Sequence, residues 1–392
     1  MNIAMIGLGK LGLPVAEVMA QHHDVRGYDV DVNIQSSTVD IKLSWAEAVK
    51  HAQIIFVAVP TPHAPEYGGE TPSSHLEPKD FDYTALRSAL INIRTWAPHT
   101  ALIVNISTVL PGTLRPMITE LGLSHRFCYN PYLIAMGTVA QDFIHPDIMM
   151  LGFDCWPTAQ HQSQARTLTE FYNSIQHNNK HITVGTWEEC ECIKIFHNTY
   201  ISAKVTIANM IQDVTQSIGH ANPTVIAESL RHADRIVSSQ YMEPGMGDGG
   251  PCHPRDNIAL SWLAEQLNLG YDLFHDIMRA REQQAAKVAD ALCQHHLPII
   301  IMGRAFKPNT DLVDGSSSVL VAHYCGELHD RTVMYDAVSD QPAVYLLAHD
   351  RDYDATWAPG SVIIDMYRRH PRDAKDVTVL WYGVRDAEPP PQ

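Results

Sequence analysis

The chain has 392 residues, which is more than a single hydrophobic core usually holds, so its length predicts two or three domains. Hydrophobic residues make up 45% and charged residues 18% of the sequence, the composition of an ordinary globular protein. The 44 acidic and 28 basic side chains give a formal net charge of -16, which argues against nucleic acid or an anionic membrane as a partner. Any positive field for an anionic ligand must therefore be local.

The spacing of cysteines and histidines and the length of apolar runs predict the compartment and whether a metal is bound. The seven cysteines, an odd number without paired C-x-x-C spacing, fit a reducing cytosol better than a disulfide framework. The 22 histidines show no H-E-x-x-H or similar spacing, so no metal is expected. We find no apolar run long enough for a membrane span and no leader pattern, and we expect a cytoplasmic protein.

The amino terminus carries a dinucleotide-binding pattern. An apolar run over residues 2–6 predicts a buried strand, residues 13–20 have a helical pattern, and between them lies Gly7-Leu8-Gly9-Lys10-Leu11-Gly12. The first glycine makes a tight turn, the second lets backbone approach a pyrophosphate, and the third lets helix pack on strand. The helix amino terminus offers unpaired N–H groups to the phosphates. The predicted cofactor contacts are Gly7, Gly9, Lys10, Leu11 and Gly12.

The next predicted strand, over residues 24–28, ends at Asp29. Asp29 lies about where this pattern expects a carboxylate that hydrogen-bonds the adenine ribose 2′-OH. A 2′-phosphate would be repelled there, so the sequence favours NAD over NADP.

Two further apolar runs predict strands that end in polar loops. Residues 54–59 lead into Pro60-Thr61-Pro62, and residues 102–106 lead into Ser107-Thr108-Val109. In open α/β sheets ligands bind outside the carboxyl ends of the strands, so these loops are predicted to touch cofactor or substrate. Taken singly, each polar residue is more often a turn or a helix cap. The residues assigned to this role are Pro60, Thr61, Ser107 and Thr108.

A glycine-rich segment places one cysteine beside charged residues. It reads Gly245-Met246-Gly247-Asp248-Gly249-Gly250-Pro251-Cys252-His253-Pro254-Arg255-Asp256. Glycines let backbone come close to a ligand, and cationic neighbours favour a thiolate. Cys252 is therefore a candidate nucleophile. The alternative is a glycine-rich loop with an incidental cysteine.

Together these motifs resemble the nucleotide-sugar 6-dehydrogenases, the family of UDP-glucose, GDP-mannose and UDP-N-acetylmannosamine 6-dehydrogenases. No single motif is specific, but their order along nearly the whole chain is, and the chain resembles a divergent member. The motifs that carry the resemblance are the glycine fingerprint, Val59-Pro60-Thr61-Pro62, Ser107-Thr108-Val109, Gly249-Gly250-Pro251-Cys252 and Ala305-Phe306-Lys307-Pro308-Asn309-Thr310-Asp311.

The resemblance implies a chemistry. Such enzymes oxidise a sugar C6 alcohol to a carboxylate with two NAD, and UDP-glucose or another UDP-hexose is the expected substrate. Cys252 matches the nucleophile that forms a thiohemiacetal and then a thioester, and Asp256 matches the carboxylate that assists it. Lys194 and Asn198 match the pair that holds the oxygen on C6, and their spacing of four puts them on one helix face. An ordinary solvated amphipathic helix is the alternative for that pair.

The resemblance also implies contacts to substrate and partner. Arg235 matches an arginine that the family supplies to a neighbouring subunit's substrate, so a homodimer is expected. Phe306 and Lys307 match contacts to the nucleotide end of the substrate, and Gly249 is assigned to substrate binding with them.

One departure from the family affects hydrolysis. The family usually reads Pro-Glu-Phe-Leu-x-Glu-Gly where this chain has Pro131-Tyr132-Leu133-Ile134-Ala135-Met136-Gly137, so both glutamates are absent. The first glutamate serves thioester hydrolysis in the family, and a positioned general base contributes about 10²- to 10⁴-fold. Because this chain has Tyr132 instead of that glutamate, Asp256, Thr108 or an ordered water would have to assist hydrolysis. The sequence leaves three interpretations: a complete dehydrogenase, an enzyme impaired in thioester hydrolysis, and a non-catalytic nucleotide-sugar-binding protein.

The predicted fold class is α/β, with two Rossmann-like doubly wound parallel-sheet domains joined by a central helical domain that contains a long helix. Alternating strands and helices over residues 1–185 predict the NAD-binding domain. Residues 186–296 form the predicted central domain, with one long helix from about 186 to 218. Strand character resumes over residues 297–392, the predicted nucleotide-sugar-binding domain.

Overall fold

The computed structural model describes most of the chain in two compact units, Met1–Val205 and Thr206–Gln392. The described residues are 1–62, 64, 79–134, 138–178, 180–218, 221–237, 245–246, 254, 261 and 264–383. The predicted division into domains at residues 185 and 296 stays a prediction.

The first unit is built on an eight-stranded sheet with the order β3-β2-β1-β4-β5-β6-β7-β8. The strands are β1 Asn2–Ile6, β2 Asp24–Tyr28, β3 Asp40–Ile41, β4 Ile54–Val57, β5 Leu102–Asn105, β6 Phe127–Tyr129, β7 Ile148–Phe153 and β8 His181–Thr186. The helices are α1 Gly12–Ala20, α2 Trp45–Val49, α3 Thr84–Trp96, α4 Leu114–Glu120, α5 Val139–Ile144 and α6 Ala159–Asn173.

Six strands of this sheet follow the Rossmann order, and neighbouring strands pair in parallel except β6 and β7. Those two pair antiparallel, with Tyr129 opposite Gly152. The predicted α/β class with doubly wound sheets is confirmed, with that one antiparallel pair as a difference.

The central strands are buried on both faces. Every residue of β4 and β5 is buried, which explains their continuous apolar runs. Side chains along a strand alternate between faces, so Phe56 joins one hydrophobic cluster and Ile55 joins the other. These two layers fix the sheet whose carboxyl edge carries the first part of the site.

A long helix, α7, spans Trp187–Ile218, as the sequence predicts. No glycine or proline interrupts those 32 residues, and Glu188 and Glu189 in its first turn complement the positive end of the helix dipole.

The second unit contains a five-stranded parallel sheet of order β10-β9-β11-β12-β13. Its strands are β9 Ile299–Met302, β10 Val333–Tyr335, β11 Val344–Leu347, β12 Val362–Asp365 and β13 Thr378–Trp381. Its helices include α8 Pro223–Arg231, α9 Asp234–Val237, α10 Leu273–Cys293 and α11 Ser317–His329. The start of α8 follows its local sequence, because the Asn222 side chain accepts the Thr224 N–H at 2.9 Å and Pro223 occupies the first turn.

Within the residues that the structure describes, no helix combines the length and the apolar character that crossing a bilayer requires.

Candidate active site

A glycine turn lies at the carboxyl end of β1, beside the end of β4, where the strand order reverses. Gly7 has φ +92°, and a Cβ on it would lie 2.6 Å from the Ala58 carbonyl oxygen. A Cβ on Gly12 would lie 1.9 Å from the Gly7 oxygen, so helix and turn leave no space for a side chain. Gly9 differs, because a Cβ there would meet no atom within 4 Å. Two glycines are therefore required by packing, and the third leaves its backbone open to a ligand.

The Asp29 side chain, at the end of β2, accepts a hydrogen bond from this turn. Its Oδ2 accepts the Leu8 N–H at 2.6 Å, and its Oδ1 accepts the Asp31 N–H at 2.9 Å. Each carboxylate oxygen has a second lone pair, so Asp29 keeps acceptor capacity for a ribose hydroxyl. The residue is half-buried, at the edge of a cleft of about 160 Å³.

Aromatic side chains form one wall of this cleft. The Tyr28 and Trp45 rings lie 4.6 Å apart, and Val59 and Pro60 line the cleft from the loop after β4. The sequence analysis did not single out Trp45. An apolar aromatic wall beside a carboxylate fits the adenosine end of a dinucleotide.

Lys10 and Leu11, the other two predicted contacts in the glycine fingerprint, differ in their exposure. Lys10 is exposed, whereas Leu11 is half-buried and packs against the hydrophobic core.

Two hydroxyl groups join the loops after β4 and β5. The Ser107 hydroxyl donates to the Val59 carbonyl at 2.7 Å, and the Thr61 hydroxyl donates to the Thr108 carbonyl at 2.7 Å. The structure therefore brings the loops that carry Thr61, Ser107 and Thr108 together, and their contact with cofactor or substrate stays a prediction. Because both donated protons serve main-chain carbonyls, these hydroxyls also set the shape of the loops.

A second cleft, of about 400 Å³, lies along the first turns of α7. Lys194 and Asn198 both line it, so the two residues do share one face. The Lys194 ammonium donates to the Tyr132 carbonyl at 2.6 Å, and burial lowers the pKa of Lys194. Asn198 is exposed, and its Oδ1 lies 3.3 Å from His197 Nδ1. The cleft thus combines a half-buried cation with an amide.

The Tyr132 side chain turns into the core rather than acting as a base. Its hydroxyl pairs with the Tyr172 hydroxyl at 2.9 Å, and Tyr172 in turn donates to Asn130 Oδ1. Burial raises the pKa of Tyr132 well above that of a free phenol, outweighing the opposing effect of the Tyr172 hydrogen bond. Tyr132 therefore stays a neutral phenol and cannot take the role of a carboxylate.

Glu191 is a structural residue that the sequence analysis missed. It is fully buried at the start of α7, and its carboxylate accepts the Gly112 N–H at 2.6 Å and the Leu114 N–H at 2.9 Å. Thr113, at the cap position of α4, makes no side-chain cap, so Glu191 caps that helix from a distance. Burial raises the pKa of Glu191, and its two amide hydrogen bonds oppose that shift. No local pattern could have indicated a cap from so far along the chain.

The second unit holds the residues assigned to the nucleotide end. Phe306 and Lys307 follow β9, at the carboxyl edge of the sheet, with Lys307 Nζ 5.3 Å from the Phe306 ring centroid. Asp336, at the end of β10, accepts the Gly303 N–H at 2.6 Å and the Arg304 N–H at 3.2 Å. This repeats the relation between Asp29 and the glycine turn of the first unit.

Four predicted site residues remain. Arg235 is exposed on α9. Gly249, Cys252 and Asp256 lie outside the described residues. The start of their segment is fixed, because a Cβ on Gly245 would lie 2.2 Å from the Tyr367 ring and the Met246 N–H donates to the Tyr367 hydroxyl at 3.2 Å.

The strand order, the glycine turn and the carboxylate at the end of β2 define a Rossmann-type dinucleotide-binding protein. The chain belongs to the UDP-glucose/GDP-mannose dehydrogenase family. The family's NAD binding domain matches residues 30–176 and its central domain matches residues 188–283, together more than half of the chain. The resemblance found in the sequence is confirmed, and so is NAD as the cofactor of this oxidoreductase.

Individual relatives from this family match the chain at low sequence identity. The chain is 25% identical to UDP-glucose 6-dehydrogenase YwqF of Bacillus subtilis, covering 91% of this chain and 84% of the relative. It is also 25% identical to GDP-mannose 6-dehydrogenase of Pseudomonas aeruginosa, covering 88% and 85%. The crystal structure of a ternary complex of GDP-mannose dehydrogenase from Pseudomonas aeruginosa superposes with a TM-score of 0.78 at 20% identity, over 97% of this chain and 99% of that one. That last similarity supports the fold alone.

Proposed function

We propose that the protein oxidises the C6 hydroxyl of a nucleotide sugar to the uronic acid, with UDP-glucose or another UDP-hexose as the substrate. The observation that carries the proposal is the cleft shared by Lys194 and Asn198 on α7. The relatives support position 6, since both are 6-dehydrogenases, and they differ in the nucleotide.

Lys194 and Asn198 would stabilise the oxygen on C6. A half-buried ammonium interacts with an anion more strongly than an exposed one, because less water screens it. Among the described residues the Lys194 ammonium donates to a neutral carbonyl, so its positive charge remains available to an alkoxide. Asn198 is exposed to the same cleft and offers an amide donor.

In this proposal Cys252 carries the intermediates. NAD supplies the oxidising power, with one hydride accepted in each of two oxidations. Cys252 sulfur bonds to C6 of the aldehyde as a thiohemiacetal, which loses a hydride and a proton to become a thioester. Water then breaks the C–S bond, releasing the acid and restoring the thiol, and Asp256 assists by accepting a proton. The balance is one water consumed and two NAD reduced per sugar.

The cleft of the first unit supports the proposed cofactor contacts. The open backbone at Gly9 and the spare acceptor capacity of Asp29 support a pyrophosphate and a ribose there. The residues proposed to hold NAD are Gly7, Gly9, Lys10, Leu11, Gly12, Asp29, Pro60, Thr61, Ser107 and Thr108.

We assign Phe306, Lys307 and Gly249 to the nucleotide sugar, and Arg235 to the substrate of a partner subunit in a homodimer. Apolar side chains are exposed on the central helices, with Phe196 on α7 62% exposed and Val225 on α8 63% exposed, and a dimer interface that included them would bury them.

A second candidate function, arrest at the thioester, is favoured by Tyr132. Its phenol is paired with Tyr172 and stays neutral, so hydrolysis would depend on Asp256, Thr108 or water. The number of NADH formed per sugar distinguishes the two. Complete oxidation gives two per sugar over many turnovers, whereas arrest gives a burst limited by the amount of enzyme.

The proposed function is tested by NAD reduction with UDP-glucose, UDP-N-acetylmannosamine, UDP-N-acetylglucosamine, UDP-galactose and GDP-mannose. We expect one of them to reduce NAD, and intact-protein mass measured during turnover to show a sugar adduct. Cys252→Ala should abolish the adduct, and Cys293→Ser, a half-buried cysteine on α10, should keep it. An adduct that persists in Cys252→Ala would refute the assignment, and no NADH from any of these sugars would favour a binding protein.

We place the enzyme in the cytoplasm. The six cysteines within the described residues are all free, which supports a reducing compartment.

A further inference from the structure

A cluster of three metal-binding side chains lies between β7 and α6, outside both clefts. Asp154 and Cys155 directly follow β7, and His161 lies in the first turn of α6. One potential ligand atom from each lies within 4.8 Å of the other two. Neither the proposed dehydrogenase chemistry nor cofactor binding uses any of them.

We propose that Asp154, Cys155 and His161 form a binding site for a divalent metal ion of the Zn²⁺ type. Carboxylate oxygen, thiolate sulfur and imidazole nitrogen are the three ligand types that Zn²⁺ takes in proteins. Three protein ligands leave a fourth tetrahedral position for water or a small anion. Sequence spacing gave no sign of this, because the triplet D-C-x5-H fits no familiar metal motif.

Two of the three ligand pairs in the cluster are spaced as in a tetrahedral site. Zn²⁺ bonds of about 2.0–2.3 Å place neighbouring ligands about 3.3–3.5 Å apart at tetrahedral angles. Asp154 Oδ1 lies 3.3 Å from His161 Nε2 and 3.3 Å from Cys155 Sγ. The sulfur lies 4.0 Å from His161 Nδ1, so metal binding would require the Cys155 side chain to move.

The histidine is oriented as a ligand would be. His161 Nδ1 lies 2.7 Å from the Cys155 carbonyl, so this nitrogen carries the proton and donates it. Nε2 then bears a lone pair that faces Asp154 Oδ1, another acceptor, and a cation bound between the two atoms would satisfy both. A ligating histidine typically donates its other N–H to a carbonyl in this way. The ring is buried and stacks on Phe153 at 5.0 Å, which holds its orientation.

Charged neighbours permit a cation here. The Arg115 guanidinium donates to the Asp154 carbonyl at 2.7 Å, but it also pairs with Glu188 at 2.8 Å, which offsets its charge. The Cys155 thiol donates to Asp154 Oδ1 at 3.3 Å, so a metal ion bound by both residues would take the place of that proton.

The test uses the full-length protein, freed of metal with a chelator and dialysed against Zn²⁺, with metal counted per chain. We expect wild type to hold one Zn²⁺ that Cys155→Ser and Asp154→Asn lose, with affinity reduced at least about tenfold. Cys293→Ser and His51→Gln, which change a cysteine and an exposed histidine outside the cluster, should retain it. Both test variants alter side chains that are not fully buried, and circular dichroism checks that they fold.

Substitution of Co²⁺ for Zn²⁺ gives a second readout. We expect a thiolate-to-Co²⁺ charge-transfer band in wild type that disappears in Cys155→Ser and persists in Cys293→Ser. Absence of Zn²⁺ binding in wild type would overturn the proposal. Full Zn²⁺ stoichiometry in Cys155→Ser, or loss of the band only in Cys293→Ser, would equally overturn it.

Discussion

The Lys194 ammonium and the Tyr132 backbone carbonyl are joined by a hydrogen bond of 2.6 Å. The sequence resemblance aligns Tyr132 with the first glutamate of the family. The carbonyl belongs to the backbone and is neutral, so it orients the ammonium without cancelling its charge. The Tyr132 side chain pairs with Tyr172 instead, so the hydrogen bond to Lys194 does not depend on which side chain stands at position 132.

We predict that Lys194→Met lowers kcat about 100- to 1,000-fold, because it removes a donor to the developing alkoxide. Steady-state NADH formation with the identified sugar measures the effect. Lys204→Met is the matched control, since Lys204 is an exposed lysine on the same helix. A drop of less than about threefold in Lys194→Met would remove Lys194 from the chemistry.

The dependence of kcat on pH should show the loss of the Lys194 proton. Burial lowers the pKa of Lys194, so its ammonium is lost at a lower pH than that of an ordinary lysine. Because the charged form is the active one, kcat should decline on the alkaline side, starting below the usual lysine range. Lys194→Arg stays protonated throughout and should lack this decline, whatever its absolute rate. Identical alkaline limbs in the two proteins would assign the decline to another group.

The two glycines of the turn should respond differently to alanine. Gly12→Ala places a methyl 1.9 Å from the Gly7 oxygen, so we expect a loss of about 1–3 kcal/mol or more in the free energy of unfolding. In Gly9→Ala the methyl meets no protein atom within 4 Å, so thermal stability should be unchanged.

NAD binding should nevertheless suffer in Gly9→Ala. The methyl occupies the approach to the pyrophosphate, and we expect the Kd for NAD to rise about tenfold or more. Thermal denaturation and fluorescence titration with NAD give the two quantities. If Gly9→Ala binds NAD as wild type does, the pyrophosphate does not cross this glycine.

Mixing two inactive variants tests the role of Arg235 across a dimer. In a hybrid of Cys252→Ala and Arg235→Ala chains, one site receives an intact thiol and an intact arginine only if Arg235 serves the partner's substrate. Random 1:1 reassembly should then recover about a quarter of the wild-type activity. Each variant alone is the control. No recovery in verified hybrids would place Arg235 in its own subunit's site or outside the reaction.

The first unit could be predicted closely from sequence because its signals are local. A strand, three glycines, a helix and an acid follow one another within 29 residues, and the packing contacts of Gly7 and Gly12 explain why nothing larger stands there. The long helix was equally clear, since an uninterrupted apolar periodicity needs no knowledge of tertiary contacts.

Other features depend on residues distant in sequence and could not be predicted. Glu191 caps a helix 77 residues earlier, and the hydrogen bond between Tyr132 and Tyr172 joins residues 40 apart. The antiparallel pairing of β6 with β7 likewise depends on how the chain returns to the sheet. The Asp154, Cys155 and His161 cluster is near in sequence, but only the turn between β7 and α6 brings its atoms together.

Glu191 stands three residues before Lys194 on α7, so the clamp on α4 and the lysine of the second cleft share one helical turn. One turn of α7 therefore holds the start of α4 through Glu191 and presents Lys194 to the second cleft.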